Sequence, residues 1–357
     1  MRRISLIVFG AIALLALSYY INNIIQATGA YRDLVFEYDG SCEQIDGLIG
    51  AEDIQIDHQT GLAFISNQDR RKYRNGTPEE GYIAVLDMAD PAAQPVRLSH
   101  DGATEFFPHG ISLYRMENGG LRLFVISHPP EQAHRVEIFD VVGGETLVHV
   151  RTVEDPLMLS PNDLVAVGPE AFYYSNDHGS KTDLGRSLED ALRLPRANLA
   201  YFDGTSARIV ADKMRYANGV NVSADGKTLY SAEITGRRIG IFDRDVETGL
   251  LSLRDVVAVN TLPDNIDVAE DGSLWVGAHP KILDFVAHAE DPEAHSPSEI
   301  IRLVPDPSGA GGTVELIYLQ DGAEISGSSV AAAYGEHFLI GAVFDPFIVK
   351  CTIPEKE

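Results

Sequence analysis

Apolar and polar positions divide the chain into two unequal regimes. From Ile4 to about Ile21 the residues are apolar, broken only by Ser5, Gly10, Ser18 and two tyrosines. Such a run could span most of a ~30 Å hydrocarbon layer, and the basic start Met1-Arg2-Arg3 orients it with the N-terminus in the cytoplasm. Thr28-Gly29-Ala30 would serve as a cleavage site, so residues 1–30 read either as a removed signal peptide or as an uncleaved membrane anchor. Either way the remainder, 31–357, lies outside the cytoplasm.

Beyond a connector over 31–50 the pattern shortens. Leu62-Ala63-Phe64-Ile65-Ser66 follows a polar turn at His58-Gln59-Thr60-Gly61, and Tyr82 to Asp87, Leu121 to His128 and Val136 to Val142 are each short and apolar or alternating. These predict strands. Val222 to Tyr230 repeats in Val268 to Trp275, each copy carrying an Asp-Gly pair suited to a hairpin turn. Two stretches break the pattern. Leu184, Leu188 and Leu192 fall at helical spacing within a charged insertion at 180–197, and a second insertion at about 282–298 is rich in His, Glu, Pro and Ala. Both predict excursions that either shape the rim of a site or run as plain solvated loops.

Five residues that can supply oxygen or nitrogen ligands recur near the starts of these units: Glu52, His109, Asn162, Asn218 and Asp264, at steps of about 57, 53, 56 and 46 residues. Units of about 55 residues over 40–357 make about six copies, hence one large all-β ring in which such residues converge on an axis. Three have an oxygen-bearing neighbour, as Glu52-Asp53, Asn162-Asp163 and Asp264-Asn265, and an oxygen-rich, sulfur-poor cage suits a hard cation, Ca²⁺ above all.

Composition narrows the partners. A formal charge of -25 and a pI near 4.7 exclude nucleic acid, whose phosphates need clustered Lys and Arg. The two cysteines, Cys42 and Cys351, stand at opposite ends of the ring. In an oxidising compartment a bond between them would close the first unit onto the last; otherwise they are two unrelated thiols. Gly-x-Ser-x-Gly, His-Glu-x-x-His and phosphate-loop motifs are absent, which removes the serine-nucleophile, zinc-protease and nucleotide-binding readings. Asn221-Val222-Ser223 fits the glycosylation pattern but lies on a strand-like run.

Ala51-Glu52-Asp53, Phe107 to Ser112, Asn162 to Pro169, Ala217 to Asn221, Asp264-Asn265-Ile266 and Trp275 to Pro280 together resemble the serum paraoxonase/arylesterase family, a likeness extending from Cys42 to Cys351. The resemblance implies a six-bladed β-propeller with two calcium ions in its central tunnel. By motif position Glu52, Asn162, Asn218, Asp264 and Asn265 would hold a catalytic ion, and Asp53, Asp163 and the Ile111 carbonyl a buried structural one. His109 and His128 match the family's histidine pair: an imidazole near the metal can take a proton from water at neutral pH, and a second can orient it or relay the proton. Asp177 and His178 would stand behind the ligands. The implied activity is hydrolysis of small-molecule lactones and aryl esters. Where the family carries a free cysteine before His-Pro this chain has Ala278, so organophosphate turnover and lipoprotein binding are not carried over. A gluconolactonase or strictosidine-synthase type propeller enzyme and a non-catalytic, calcium-stabilised binding propeller are the alternatives.

Overall fold

The two Asp-Gly pairs make the turns their composition predicts: Gly226 and Gly272 adopt φ of +67° and +80°, a left-handed region that glycine enters without a Cβ penalty. Each joins the two inner strands of a blade, Ala217–Val222 to Thr228–Glu233 and Leu262–Val268 to Leu274–His279. This hairpin recurs throughout the computed structural model, which describes residues 2–307 and 309–354. Met1 of the basic start and the last three residues of the 31–357 unit lie outside that range.

The strands form six antiparallel sheets of four, one of them widened by a short parallel fifth strand, Ser99–His100. Their first strands are Ala51–Asp57, Pro108–Arg115, Pro161–Ala166, Ala217–Val222, Leu262–Val268 and Ser328–Tyr334. Each contacts the first strand of the next sheet, and the last returns to the first, so the six close a ring around a tunnel. The architecture is the expected six-bladed β-propeller, with blades 1 to 6 numbered from Ala51.

Six apolar clusters hold the blades, one at each seam. Strands alternate their side chains between the two faces. In Leu62–Asn67, accordingly, Phe64 enters the seam with blade 2 while Ala63 and Ile65 enter the seam with blade 6. Burial on both faces explains why these strands read as nearly continuous apolar runs. Emptying one seam position, Phe124 or Phe338, would cost about 3–5 kcal/mol.

Blade 6 is made from both ends of the chain. Cys42–Asp46 pairs with Phe347–Thr352 as its outer strand, with Cys42 opposite Cys351 and the two joined by a disulfide. The Tyr38 hydroxyl donates to the Thr352 carbonyl at 2.6 Å beside it.

Four α-helices occur among the described residues: α1 (Arg2–Ala27), α2 (Arg70–Arg74), α3 (Asp183–Leu192) and α4 (Ile282–Glu290). Helices α3 and α4 are the two predicted insertions. Helix α3 begins at Thr182, whose hydroxyl accepts from Gly185 N. Its leucines turn outward, Leu184 being 73% exposed, while Glu189 is buried, accepting from Gly179 N and from the Ser180 hydroxyl. Within α1, Phe9–Ala27 is long and apolar enough to cross a membrane. Its C-terminal end is seated on the propeller, where Tyr20 donates to the Leu192 carbonyl at 2.6 Å and Ile282 N to the Thr28 carbonyl at 3.1 Å. Asn221 is buried on its strand and donates to the Ile266 carbonyl at 2.9 Å, so that sequon is not an accessible acceptor.

Candidate metal centre and active site

Every first strand opens with a break in its ladder. Register shifts fall between Ala51 and Asp53, Pro108 and Ile111, Pro161 and Leu164, Ala217 and Val220, Pro263 and Ile266, and Ser328 and Val330. In a regular strand neighbours such as Glu52 and Asp53 face opposite sides; an unpaired residue kinks the strand and re-aims its side chains. The six breaks coincide with Glu52, His109, Asn162, Asn218, Asp264 and, in blade 6, Ser329. Gly110 and Gly219 follow two of them and let neighbouring blades close up: a Cβ at Gly219 would lie 2.5 Å from the Asp264 carbonyl oxygen.

Glu52, Asn162, Asn218, Asp264 and Asn265 are all buried. Glu52, Asn162, Asn218 and Asp264 line the floor of one cavity of about 910 Å³, and Asn265 joins them by donating to Glu52 Oε1 at 2.8 Å. One side-chain oxygen on each of the five, namely Glu52 Oε2, Asn162 Oδ1, Asn218 Oδ1, Asp264 Oδ1 and Asn265 Oδ1, has no hydrogen-bond partner. A buried polar atom left unpaired costs roughly 1–3 kcal/mol; four such oxygens, with Glu52 Oε2 approached only by His109 and Arg70 at 3.4 and 3.7 Å, describe a cage that a hard cation would satisfy. Among the described residues no group of three or more His, Cys, Asp or Glu is set to hold a metal. This cage draws three of its five oxygens from amides. The partners of the remaining atoms orient it: His279 Nε2 lies 2.8 Å from Asp264 Oδ2, and Asn162 Nδ2 donates to Asp177 Oδ2 at 3.4 Å.

Deeper in the tunnel, Asp53 and Asp163 tie blades together. Asp53 accepts from Ile111 N at 2.7 Å and Asp163 from Val220 N at 2.7 Å. Burial, and then the charge of Glu52 for Asp53 and of Asp53 for Asp163, push both carboxyls well above the usual range. Two buried carboxyls, each raised by a neighbouring acidic charge, are a second locus at which a divalent cation would relieve both burial and repulsion. Ile111 enters this locus through its N–H.

Above the cage the histidines form a chain. His109 Nε2 is 3.4 Å from Glu52 Oε2, and His109 Nδ1 is 2.8 Å from His128 Nε2. Burial works against the charge of Glu52, but His109 and then Arg70 hold its carboxyl down to about 2. Burial, with His109 and His134 beside it, holds His128 well below the usual imidazole range, so His128 is neutral at pH 7. His178 is the opposite case. Burial lowers it, yet hydrogen bonds to Asp177 and Asp190 at 2.7 and 2.9 Å push it up to about 10, so it is an imidazolium. Asp177 and His178 thus form a charged pair behind Asn162.

Three residues of the site carried no sequence signal of their own role. Arg70 lies in a short helix and reaches to 3.7 Å from Glu52 Oε2. His279 was visible only as part of a motif. His134 stands in the loop after His128, with Nδ1 2.8 Å from His128 Nδ1. The cavity wall is mixed: Leu283, Phe285 and Val286 of the predicted insertion α4, with Ile24 and Ala27 of α1, supply its apolar part, and Arg186, Asp190 and Arg193 of the other insertion supply charge. The oxygens and His109 therefore stand in a cavity with an apolar face from α4 and α1, an arrangement suited to a partly apolar molecule with one electrophilic polar group.

A family profile described as arylesterase matches residues 39–351. Human serum paraoxonase/arylesterase 1 is 34% identical over 320 residues, spanning 85% of this chain and 86% of that protein. Human serum paraoxonase/arylesterase 2 is 34% identical over 311 residues, spanning 85% and 86%. Among solved structures, a gluconolactonase from Xanthomonas campestris superposes with a TM-score of 0.54 at 17% identity, covering 88% of this chain and 90% of its own. A calcium-binding regucalcin from Agrobacterium tumefaciens gives 0.53 at 14% identity, covering 90% and 96%. At those identities the two structures share the fold alone. The profile and the paraoxonase relatives span nearly all of the ring, and the chain belongs to the arylesterase family.

Proposed function

We propose that the chain is a calcium-dependent hydrolase of lactones and aryl esters, with one ion held by Glu52, Asn162, Asn218, Asp264 and Asn265. A second, structural ion would be held by Asp53, Asp163 and the Ile111 carbonyl. The observation that carries this reading is the set of five side-chain oxygens without hydrogen-bond partners beside His109, of which, among the described residues, only Glu52 Oε2 has charged neighbours at ion-pair distance, His109 and Arg70. A bound calcium would supply positive charge next to the substrate carbonyl oxygen, where negative charge develops.

The chain's own groups do the rest. His109 Nε2 faces the cage and takes a proton from the attacking water, while His128 fixes the ring through Nδ1. The amides of Asn162 and Asn218 border the position of the developing oxyanion. The apolar rim of α1 and α4 grips the acyl or aryl portion and keeps bulk water from the floor. Because the end of α1 forms part of that wall, retention of residues 1–30 as an anchor fits better than their removal. The apolar helix and the disulfide together fit an extracytoplasmic, membrane-anchored enzyme.

Hydrolysis of phenyl acetate and of an aliphatic δ-lactone, measured before chelation, after it and on calcium add-back, tests the proposal. Turnover of both substrates that chelation abolishes and calcium restores supports it. Inactivity on both with calcium bound would instead indicate a binding propeller.

A further inference from the structure

The chain of imidazoles does not stop at the expected pair. His128 Nδ1 is 2.8 Å from His134 Nδ1, and the three rings stand edge to face, with centroids 5.0 Å apart for His109 and His128 and 4.7 Å for His128 and His134. His134 lies in the loop between the blade 2 strands Leu121–Ser127 and Arg135–Val142, at the wall of the cavity and partly exposed. Among the described residues nothing in the protein bonds its Nε2.

We propose that His134 is the outer member of a three-histidine proton relay, acting through His128 to carry the proton taken at His109 Nε2 out to solvent. This rests on the reading of His109 as the base. A neutral imidazole has one N–H and one lone pair, and three in series can all donate outward: His109 Nδ1–H to His128 Nε2, His128 Nδ1–H to His134 Nδ1, His134 Nε2–H to solvent. As the water oxygen bonds to the acyl carbon, its proton goes to His109 Nε2. One proton then passes along each bond and one leaves from His134 Nε2. All three rings end neutral with the polarity reversed.

When the tetrahedral adduct expels its alkoxide, the proton now on His109 Nε2 protonates that oxygen. The relay resets inward, taking one proton from solvent at His134 Nε2, and the acid product ionises in solution. The sum is one ester and one water giving one alcohol, one carboxylate and one proton.

The surroundings favour passage over storage. Burial and the Arg186 guanidinium hold His134 below the usual imidazole range, against the pull of Asp177, and His128 is held lower still. A proton entering the chain is therefore not trapped at either ring.

The test compares wild type, His134→Gln and His134→Ala, as full-length calcium-loaded protein, on phenyl acetate in weakly buffered solution near neutral pH. The relay predicts kcat lower by roughly tenfold or more in both variants, with KM and the calcium requirement unchanged, and recovery of kcat on adding free imidazole. Wild-type kcat should not respond to imidazole. Gln can keep a hydrogen bond to His128 but cannot pass a proton, so an unimpaired His134→Gln overturns the relay, as does a loss that imidazole does not restore. His109→Gln is run alongside. If it keeps the full rate, the base assignment fails and the relay with it; if it is slow while His134→Gln is not, the relay alone fails.

Discussion

Asp264 divides its carboxylate: Oδ2 lies 2.8 Å from His279 Nε2, while Oδ1 has no partner in a buried site. One oxygen is held by a side chain 15 residues away on the next strand of the same blade, and the other would be free to hold the proposed cation. His279 should therefore act on metal affinity rather than on the fold. We expect His279→Ala to raise the calcium concentration needed for half-maximal activity by about 10–100-fold, read from add-back titrations, and Asp264→Ala to abolish turnover at any calcium concentration tested.

His109→Gln removes the base but none of the five cage oxygens. Its kcat should fall by about 10²–10⁴-fold, while calcium binding measured by calorimetry stays near wild type. Unchanged ester and lactone rates would move the base role to a carboxylate of the cage.

Chelation should loosen the ring as well as silence it. On the proposed reading, cations that bind the folded state alone would relieve the five oxygens without hydrogen-bond partners and the raised Asp53 and Asp163, so calcium would stabilise by mass action. The thermal midpoint should drop on chelation in wild type. Asp163→Ala, which also loses the bond to Val220 N, should start lower and drop less.

The Cys42–Cys351 bond closes a loop with a sequence separation of 309. Chain-entropy arguments assign such a closure about 5–6 kcal/mol. Denaturant unfolding of Cys42→Ser or Cys351→Ser should show a loss of that order, insensitive to reductant, whereas wild type should approach the variants once reduced.

His178 makes stability depend on pH in the alkaline direction. Its folded value of about 10 lies above the 6.5 of the free side chain. The contribution is complete below pH 6.5 and disappears as pH rises through about 10. His178→Gln should be less stable than wild type at pH 6 and close to it above pH 10, as judged by thermal midpoints across that range.

The ring was legible because its units repeat. The Asp-Gly turns, the apolar strand runs and the steps between Glu52, His109, Asn162, Asn218 and Asp264 share one cause, the hairpin of a blade, and all three signals survive in the linear chain. Arg70, His134 and His279 were not legible as parts of the site. Arg70 arrives from a helix of five residues. His134 is placed by the path of a loop, and His279 matters only through its distance to Asp264. None belongs to the repeat.

The same division holds for the whole molecule. Local covalent order determined the all-β class, the number of units, the apolar N-terminal run, the helical insertions and the oxygen- or nitrogen-bearing side chain at each repeat, because propensity, periodicity and turn chemistry act over a few residues. Only the tertiary structure decided which oxygens remain unpaired, which histidine follows which, that the leucines of α3 face outward, and that the end of α1 forms part of the cavity wall. Those outcomes depend on register breaks and blade closure, which bring residues hundreds of positions apart within a few ångströms, and no short window of sequence contains such distances.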